Sequence, residues 1–141
     1  ATEFIGRFYQ ERAALNAEAL SVNTSTLAAI GNDYGFERVF VRQLEAKGRP
    51  NDVVIGLSTS GRSPNILLAL QYAREHGMFS AAFTGLEEPR ALKEACDLIL
   101  HAPSPVTPRI QECHIFFGHM LAEYVEAELF PKDKESHHEA F

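Results

Sequence analysis

The 141-residue sequence contains no tryptophan and only two cysteines, Cys96 and Cys113. Two cysteines do not make the framework of a small disulfide-rich domain, and they suit a reducing compartment. No apolar run reaches the roughly 18 residues that a membrane-spanning helix needs. The first residues also lack the basic end and apolar stretch of a signal peptide. We therefore expect a cytoplasmic protein with no membrane partner.

Clustered positive charge is missing as well. The sequence has 13 lysines and arginines against 19 acidic residues, a formal net charge of -6. Its basic residues form no stripe, which argues against a nucleic-acid partner. With 45% hydrophobic residues, the chain can bury the core of one domain. We expect this domain to comprise residues 1–130, followed by a solvated tail at 131–141 that contains His137 and His138.

Predicted strands and helices alternate at short spacing along the chain. Short apolar runs predict strands at 53–57, 79–84 and 97–100, and a weaker one at 18–22. The helical patterns cover 24–30, 36–47, 64–76, 89–95 and 108–129, and turn residues occupy 31–35. This order predicts an α/β fold with a parallel sheet and helices on both of its faces.

A loop rich in hydroxyl groups follows the first buried strand of this pattern. Four of its side chains carry hydroxyls, and they belong to Ser58, Thr59, Ser60 and Ser63. Gly61 permits a tight turn, and Ser63-Pro64 is typical of a helix start, where free N–H groups favour an anion. The Gly-Lys-Ser/Thr ending of a P-loop is absent. From spacing alone, a phosphate site and an ordinary Ser/Gly-rich connection are about equally compatible with this loop.

This loop, STSGRS, resembles the Ser-Thr-Ser-Gly-x-Ser signature of SIS (sugar isomerase) domains. Residues 1–7 (ATEFIGR), 30–36 (IGNDYGF) and 109–119 (RIQECHIFFGH) extend the resemblance, in matching order, to the phosphoheptose isomerase family. The resemblance implies a flavodoxin-like three-layer αβα sandwich and a homotetramer with active sites at subunit interfaces. It also implies conversion of D-sedoheptulose 7-phosphate to D-glycero-D-manno-heptose 7-phosphate, toward the heptose of lipopolysaccharide.

The same resemblance implies roles for individual residues. Glu3 matches the catalytic base and a zinc ligand, and His119 matches the catalytic acid and a second zinc ligand. Gln111 matches a third ligand that also contacts the substrate, with one zinc ion per subunit. The implied substrate contacts are Glu3, Asn32, Asp33, Ser58, Thr59, Ser60, Ser63 and Gln111.

Other interpretations of these residues stay open at this point. His114 lies one helical turn after Gln111, so spacing alone makes it a competitor of His119, and His119 itself can be a packed core residue. Gln111 and His119 are about 12 Å apart along an ideal helix. They can share an ion only if the helix starts late or is distorted, or if a neighbouring subunit supplies one ligand. Glu3 can be an ordinary solvated residue, and Asn32-Asp33 can simply shape a turn.

The family pattern also contains a part that precedes residue 1. Family members carry an earlier segment with a Gly-Asn-Gly-Gly-Ser phosphate loop and a further zinc-ligand histidine. Because the chain starts with Ala1 inside a helical pattern, we expect that such a segment is missing from it. The family also includes a non-catalytic tetramer that binds a replication initiator, and sugar-phosphate sensor domains are related. Gln111 and His119, together with Asn32-Asp33, favour the enzyme.

Overall fold

A computed structural model describes residues 1–131. Its sheet consists of three parallel strands in the order β1-β2-β3, with β1 at Val53–Leu57, β2 at Phe79–Thr84 and β3 at Leu98–His101. Leu57 pairs with Phe83, and Thr84 pairs with His101, so the carboxyl ends of all three strands lie at one edge. The three strands predicted from apolar runs are confirmed, and β3 begins one residue later than expected. The expected burial of β1 on both faces is wrong, because Val53 and Leu57 at its two ends are exposed.

Helices connect and flank these strands. They are α1 (Thr2–Ile5), α2 (Thr24–Tyr34), α3 (Val41–Lys47), α4 (Pro64–Glu75), α5 (Arg90–Ala95) and α6 (Thr107–Leu129), with a 3₁₀ turn at Phe36–Arg38. Within residues 1–131, none of the helices has both the length and the apolar character needed to cross a membrane.

Helices cover the sheet on both faces. On one face, Ala82 of β2 joins a core cluster with side chains of α4 and α5, namely Leu70, Leu92 and Ala95. Successive strand residues point to opposite faces, so Phe83 faces the other way, where its ring centroid lies 6.0 Å from that of His114 in α6. This arrangement is the three-layer αβα sandwich that the sequence predicted.

Three local predictions are corrected by the structure. Residues 18–22 form no strand. Their carbonyl at Leu20 instead accepts a hydrogen bond of 2.9 Å from the buried side chain of Gln43. Residues 31–34 belong to α2 rather than to a turn, because the helix continues until Gly35, where φ is +91°. The predicted helix at 36–47 is divided into the 3₁₀ turn and α3.

The chain divides into two compact units. One comprises Leu20–His114 and contains the sheet, and the other comprises Ala1–Ala19 together with residues 115–131. Cys96 is buried and Cys113 is half-buried, and both are free thiols. His137 and His138 lie outside the described residues.

Candidate functional site

The loop that follows β1, residues 58–63, is called the serine loop below. Main-chain bonds hold it at the carboxyl edge of the sheet. The Ser58 N–H donates to the Phe83 carbonyl (3.0 Å), and the Gly85 N–H donates to the Thr59 carbonyl (3.1 Å). These two bonds extend the β1–β2 ladder beyond the strands. The loop therefore lies where ligands bind in open parallel sheets.

Gly61 gives the serine loop its tight turn. Its φ is +64°, a left-handed conformation that favours glycine. A Cβ atom at this position would lie only 3.0 Å from both Pro89 Cδ and Thr84 Oγ1. The main chain thus approaches the end of β2 so closely that a Cβ atom here would require its neighbours to shift. The predicted role of Gly61 as a turn residue is confirmed.

The loop hydroxyls differ in exposure. Ser58 is buried and its Oγ lies 2.9 Å from Ser63 Oγ, whereas Ser60 is exposed and its Oγ accepts the Arg62 N–H at 3.2 Å. Thr59 and Ser63 are half-buried. Hydroxyl groups can rotate to donate to an anion. The structure therefore brings the four predicted hydroxyl residues together in one loop.

Ser63 occupies the N-cap position of α4, as predicted, but its hydroxyl does not cap the helix. It pairs with Ser58, while the Ser63 carbonyl accepts the N–H groups of Ile66 and Leu67. Pro64 begins the helix. A 12-residue helix directs the positive end of its dipole toward the loop, which favours a bound phosphate.

Arg62 supplies the positive charge within the serine loop. Its guanidinium forms an ion pair of 2.9 Å with Glu87, and both side chains are largely exposed, at 59% and 72%. An exposed pair of this kind contributes little to stability. The loop therefore offers mainly neutral donors to a ligand, as the sequence suggested.

Asn32 and Asp33 lie in the last turn of α2, and both are exposed. The Asn32 amide donates to the Asp33 carboxylate at 2.9 Å. Within residues 1–131, no hydrogen bond joins these two residues to the serine loop. Their predicted contact with the substrate stays a prediction.

In the other unit, Glu3 is half-buried in the short helix α1. Its carboxylate accepts a long hydrogen bond of 3.4 Å from the Thr2 hydroxyl. Its main-chain carbonyl accepts a much shorter bond, 2.6 Å, from the guanidinium of Arg12. The Glu3 carboxylate therefore makes only one long hydrogen bond, whereas the Glu3 carbonyl is held by a short bond from Arg12.

The anchor is a buried ion pair between Arg12 and Glu126. Arg12 Nε lies 3.2 Å from Glu126 Oε2, and the two side chains are 3% and 2% exposed. The carboxylate also accepts the main-chain N–H groups of Phe8, Tyr9 and Gln10 at 2.8–3.2 Å. Burial by itself would raise the pKa of the carboxyl group, but these donors together with the guanidinium lower it below its ordinary value.

Sequence reasoning missed this pair. The positions are 114 residues apart, and neither belongs to a recognisable motif. The available signal was weak: Glu126 is a charged residue at a helical position that otherwise faces apolar neighbours. An acidic residue in that setting is rarely buried without a partner.

The two competing histidines of α6, His114 and His119, differ in their exposure to solvent. His114 is buried at 6% exposure, and its Nε2 lies 3.2 Å from the Thr84 carbonyl. It is a packed core histidine. His119 is exposed, and its ring centroid lies 5.6 Å from that of Phe8. His119 is thus the accessible histidine of the pair, although its chemical role stays a prediction.

Two of the predicted zinc ligands, Gln111 and His119, lie in the same helix, α6. This helix begins at Thr107, before Gln111, and is α-helical through His119. Neither a late start nor a distortion brings the two residues together. Along an ideal helix the two positions are about 12 Å apart. That these two residues and Glu3 bind one zinc ion stays a prediction. Residues 1–131 also contain no group of three His, Cys, Asp or Glu side chains that could hold a metal.

Comparisons with known proteins agree with this architecture. The family model described as "SIS domain" matches residues 1–85. A phosphoheptose isomerase of Citrifermentans bemidjiense is 52% identical over 132 residues, which are 94% of this chain and 68% of the relative. One from Burkholderia pseudomallei is 49% identical, covering 94% of this chain and 66% of the relative.

Solved structures give the same result. A phosphoheptose isomerase from Francisella tularensis superposes with a TM-score of 0.82 at 33% identity, over 88% of this chain and 66% of that one. Another from Neisseria gonorrhoeae gives 0.78 at 41% identity, over 90% and 67%. The chain thus spans about two thirds of the length of the proteins it matches.

Proposed function

This chain belongs to the SIS-domain family and, within it, to the phosphoheptose isomerases, and we propose that its protein isomerises D-sedoheptulose 7-phosphate to D-glycero-D-manno-heptose 7-phosphate. The reaction is an aldose–ketose isomerisation in heptose biosynthesis. The observation that carries the proposal is the serine loop, a cluster of hydroxyls at a helix start on the carboxyl edge of the sheet. This cluster suits the phosphate of a sugar phosphate.

The phosphate provides binding energy remote from the reacting carbons. The α4 N-terminus and the loop hydroxyls hold it with neutral donors. An arrangement of neutral donors binds a dianion without a fixed counter-charge, because N–H and O–H dipoles converge on it. Asn32 and Asp33 are proposed to contact the sugar hydroxyls, for which an amide and a carboxylate are suitable partners.

Two groups move protons in the proposed reaction. The Glu3 carboxylate takes a proton from C1 of the ketose, while His119 gives a proton to the C2 carbonyl oxygen, and an enediol results. Return of the proton from Glu3 to C2, with loss of the O1 proton to the histidine, gives the aldose. Protons balance over the cycle, and both groups return to their starting states.

Zinc, the homotetramer and the cytoplasmic location also belong to the proposal. Because Gln111 and His119 are about 12 Å apart along one continuous helix, we propose that an ion bound by Glu3, Gln111 and His119 takes its ligands from two subunits. When bound, zinc polarises oxygen atoms. Zinc content and molar mass of the natural full-length protein test this point: a metal-free tetramer, or a zinc-loaded monomer, contradicts it.

The activity is tested in the full-length protein with D-sedoheptulose 7-phosphate. We expect Glu3→Gln and His119→Gln each to lower kcat by about 10²–10⁴-fold, since each removes a proton-transfer group. Glu11→Gln and His76→Gln repeat the same substitutions at exposed positions and serve as controls. Full activity in both site variants would refute the residue assignments. Absence of turnover by the unsubstituted protein would refute the function itself.

The alternative, a non-catalytic tetramer that binds a replication initiator, is not favoured. The relatives and solved structures described above are named as isomerases. The accessible position of His119 also suits a group that acts on a substrate.

A further inference from the structure

Glu126 is a buried carboxylate that the proposed reaction does not use. It lies in α6, seven residues or two helical turns after His119, so both side chains lie on nearly the same face of the helix. Its two oxygens accept three consecutive main-chain N–H groups, those of Phe8, Tyr9 and Gln10. Outside helices and strands, such a run of donors needs an acceptor, and Glu126 provides it.

Arg12 extends this arrangement to Glu3. Its Nη2 donates to the Glu3 carbonyl at 2.6 Å, and its Nη1 donates to the Phe4 carbonyl at 2.9 Å. The same guanidinium contacts Glu126 through Nε and lies 5.5 Å from the ring centroid of Phe130. One planar, buried group therefore holds the main-chain carbonyls of Glu3 and Phe4 and the carboxylate on α6 at once.

Phe8 links the arrangement to His119. Its N–H donates to Glu126 at 3.2 Å, and its ring packs 5.6 Å from the His119 ring. Moving Glu126 would release the Phe8 main chain, and the ring against His119 would move with it. The Arg12–Glu126 ion pair thus holds both the main chain at Glu3, the proposed base, and the Phe8 ring that packs against His119, the proposed acid.

We propose that Arg12 and Glu126 are positioning residues, which hold Glu3 and His119 in the mutual placement that proton transfer requires. The proposal rests on the proposed isomerase function. Neither residue is assigned contact with the substrate. Displacement of a reacting group by about 1 Å can reduce the rate by about 10²-fold, so the pair acts mainly on kcat.

The test uses Glu126→Gln and Arg12→Lys in the full-length protein, with Glu128→Gln as the matched control. Glu128 lies on the same helix and is exposed. The Arg12→Lys variant retains the charge opposite Glu126 and is expected to fold, but one ammonium group cannot reach the carboxylate and both carbonyls together. We expect kcat per folded protein to fall about 10²-fold in both variants, with KM nearly unchanged and Glu128→Gln like the unsubstituted protein.

Two further readouts separate positioning from a merely structural role. The two limbs of the kcat–pH profile should stay at the same pH in both variants, because the titrating groups of the reaction are unchanged. A shifted limb, or a kcat per folded protein equal to that of the control, overturns the proposal. So does a rise in KM with kcat unchanged.

Amide hydrogen exchange tests the arrangement without any reaction. We expect residues 3–10 to exchange faster in Glu126→Gln and Arg12→Lys than in the Glu128→Gln control. Unchanged exchange refutes the anchoring even if the enzyme is active. Conversely, faster exchange in a protein that fails to turn over sedoheptulose 7-phosphate refutes the proposed function and leaves the anchoring supported.

Discussion

The serine loop and the N-terminal segment (residues 6–19) are both irregular, but different forces fix them. Main-chain hydrogen bonds place the serine loop, and they continue a parallel ladder beyond its strands. Side chains place the N-terminal segment: Glu126 binds three of its N–H groups, and Arg12 binds the carbonyls before it. The hydroxyls of the serine loop make only local bonds, those of Ser58 with Ser63 and of Ser60 with Arg62, and can rotate to donate to a ligand.

This difference determines which kinds of substitution the serine loop and the N-terminal segment each tolerate. A loop placed by its main chain is sensitive to the backbone conformation and to the space around it. It is less sensitive to the loss of its polar side chains. A segment placed by two buried charges has the opposite sensitivity, because removing one charge leaves several donors without an acceptor.

The largest effect on the serine loop is expected from Gly61→Ala. Alanine in a left-handed conformation costs about 1–2 kcal/mol, and its Cβ would meet Pro89 and Thr84 at 3.0 Å, which adds about 1–3 kcal/mol. We expect the free energy of unfolding, measured in urea, to fall by about 3 kcal/mol. Binding of the sugar phosphate should weaken as well.

Gly77→Ala is the matched control for this substitution. Gly77 also has a positive φ, +74°, but its nearest neighbour would lie 3.6 Å from the added Cβ. It should lose only about 1 kcal/mol and keep its affinity for the substrate. Equal losses at the two glycines would mean that the close approach at Gly61 contributes nothing.

The serine loop was also the easier part to predict. Its flanking elements β1, α4 and β2 were predicted within about one residue, because apolar periodicity and the Ser63-Pro64 start are local signals. Local signals also caused the errors. Gly31, Asn32 and Asp33 are typical turn residues, yet α2 starts at the Asn23 N-cap, continues through them and ends only at Gly35, where φ is +91°.

At the candidate site, the roles assigned to individual residues stay predictions, and only their placement can be compared with the sequence. The cluster of loop hydroxyls followed from the sequence, whereas the burial of His114 and the exposure of His119 did not, because both lie in the same largely apolar helix. The Arg12–Glu126 pair could not be predicted, since a contact across 114 residues leaves no local pattern. The strand expected at 18–22 is wrong for a related reason: a strand needs a neighbour to pair with, and within residues 1–131 this segment pairs with none of the three strands.

A second prediction concerns the loop hydroxyls themselves. Ser58 and Ser63 pair with each other at 2.9 Å, so replacing both by alanine leaves no buried partner unpaired, and the effect on stability should be close to neutral. The KM for the sugar phosphate should rise about 10-fold, as expected when roughly 1.4 kcal/mol of binding is lost. Urea unfolding and steady-state kinetics measure the two effects.

Asn23→Ala provides the contrast, because Asn23 is an N-cap whose side chain does cap its helix, by accepting the Thr26 N–H at 3.0 Å. Its loss should cost about 1 kcal/mol of stability without changing KM. If the double serine variant were as destabilised as Asn23→Ala, the hydroxyls would be structural, and the distinction between the two irregular regions would weaken.

The smallest effect is expected at Asp97. Its side chain binds the main chain of β2, in the unit Leu20–His114, as Glu126 binds the main chain of residues 8–10 in the other unit. Its carboxylate accepts the N–H and hydroxyl of Ser80, both at 2.9 Å. These bonds, with a smaller contribution from Arg74, lower its pKa below the usual 3.8 despite partial burial. A lowered pKa stabilises the fold above pH 4 or so, and the stabilisation disappears as the pH falls through the lower folded value.

We therefore expect Asp97→Asn to be less stable than the unsubstituted protein by under about 1 kcal/mol at pH 7. The difference should shrink as the pH falls below about 4, whereas Glu128→Gln provides the baseline for losing one exposed charge. The effect is small because β2 and β3 keep their ladder when the carboxylate is gone. Residues 8–10 have no ladder to retain. Amide hydrogen exchange checks this comparison between Asp97→Asn in β2 and Glu126→Gln at residues 8–10. If exchange rose equally in the two variants, the two carboxylates would be equivalent. The sheet would then not be what holds the serine loop in place.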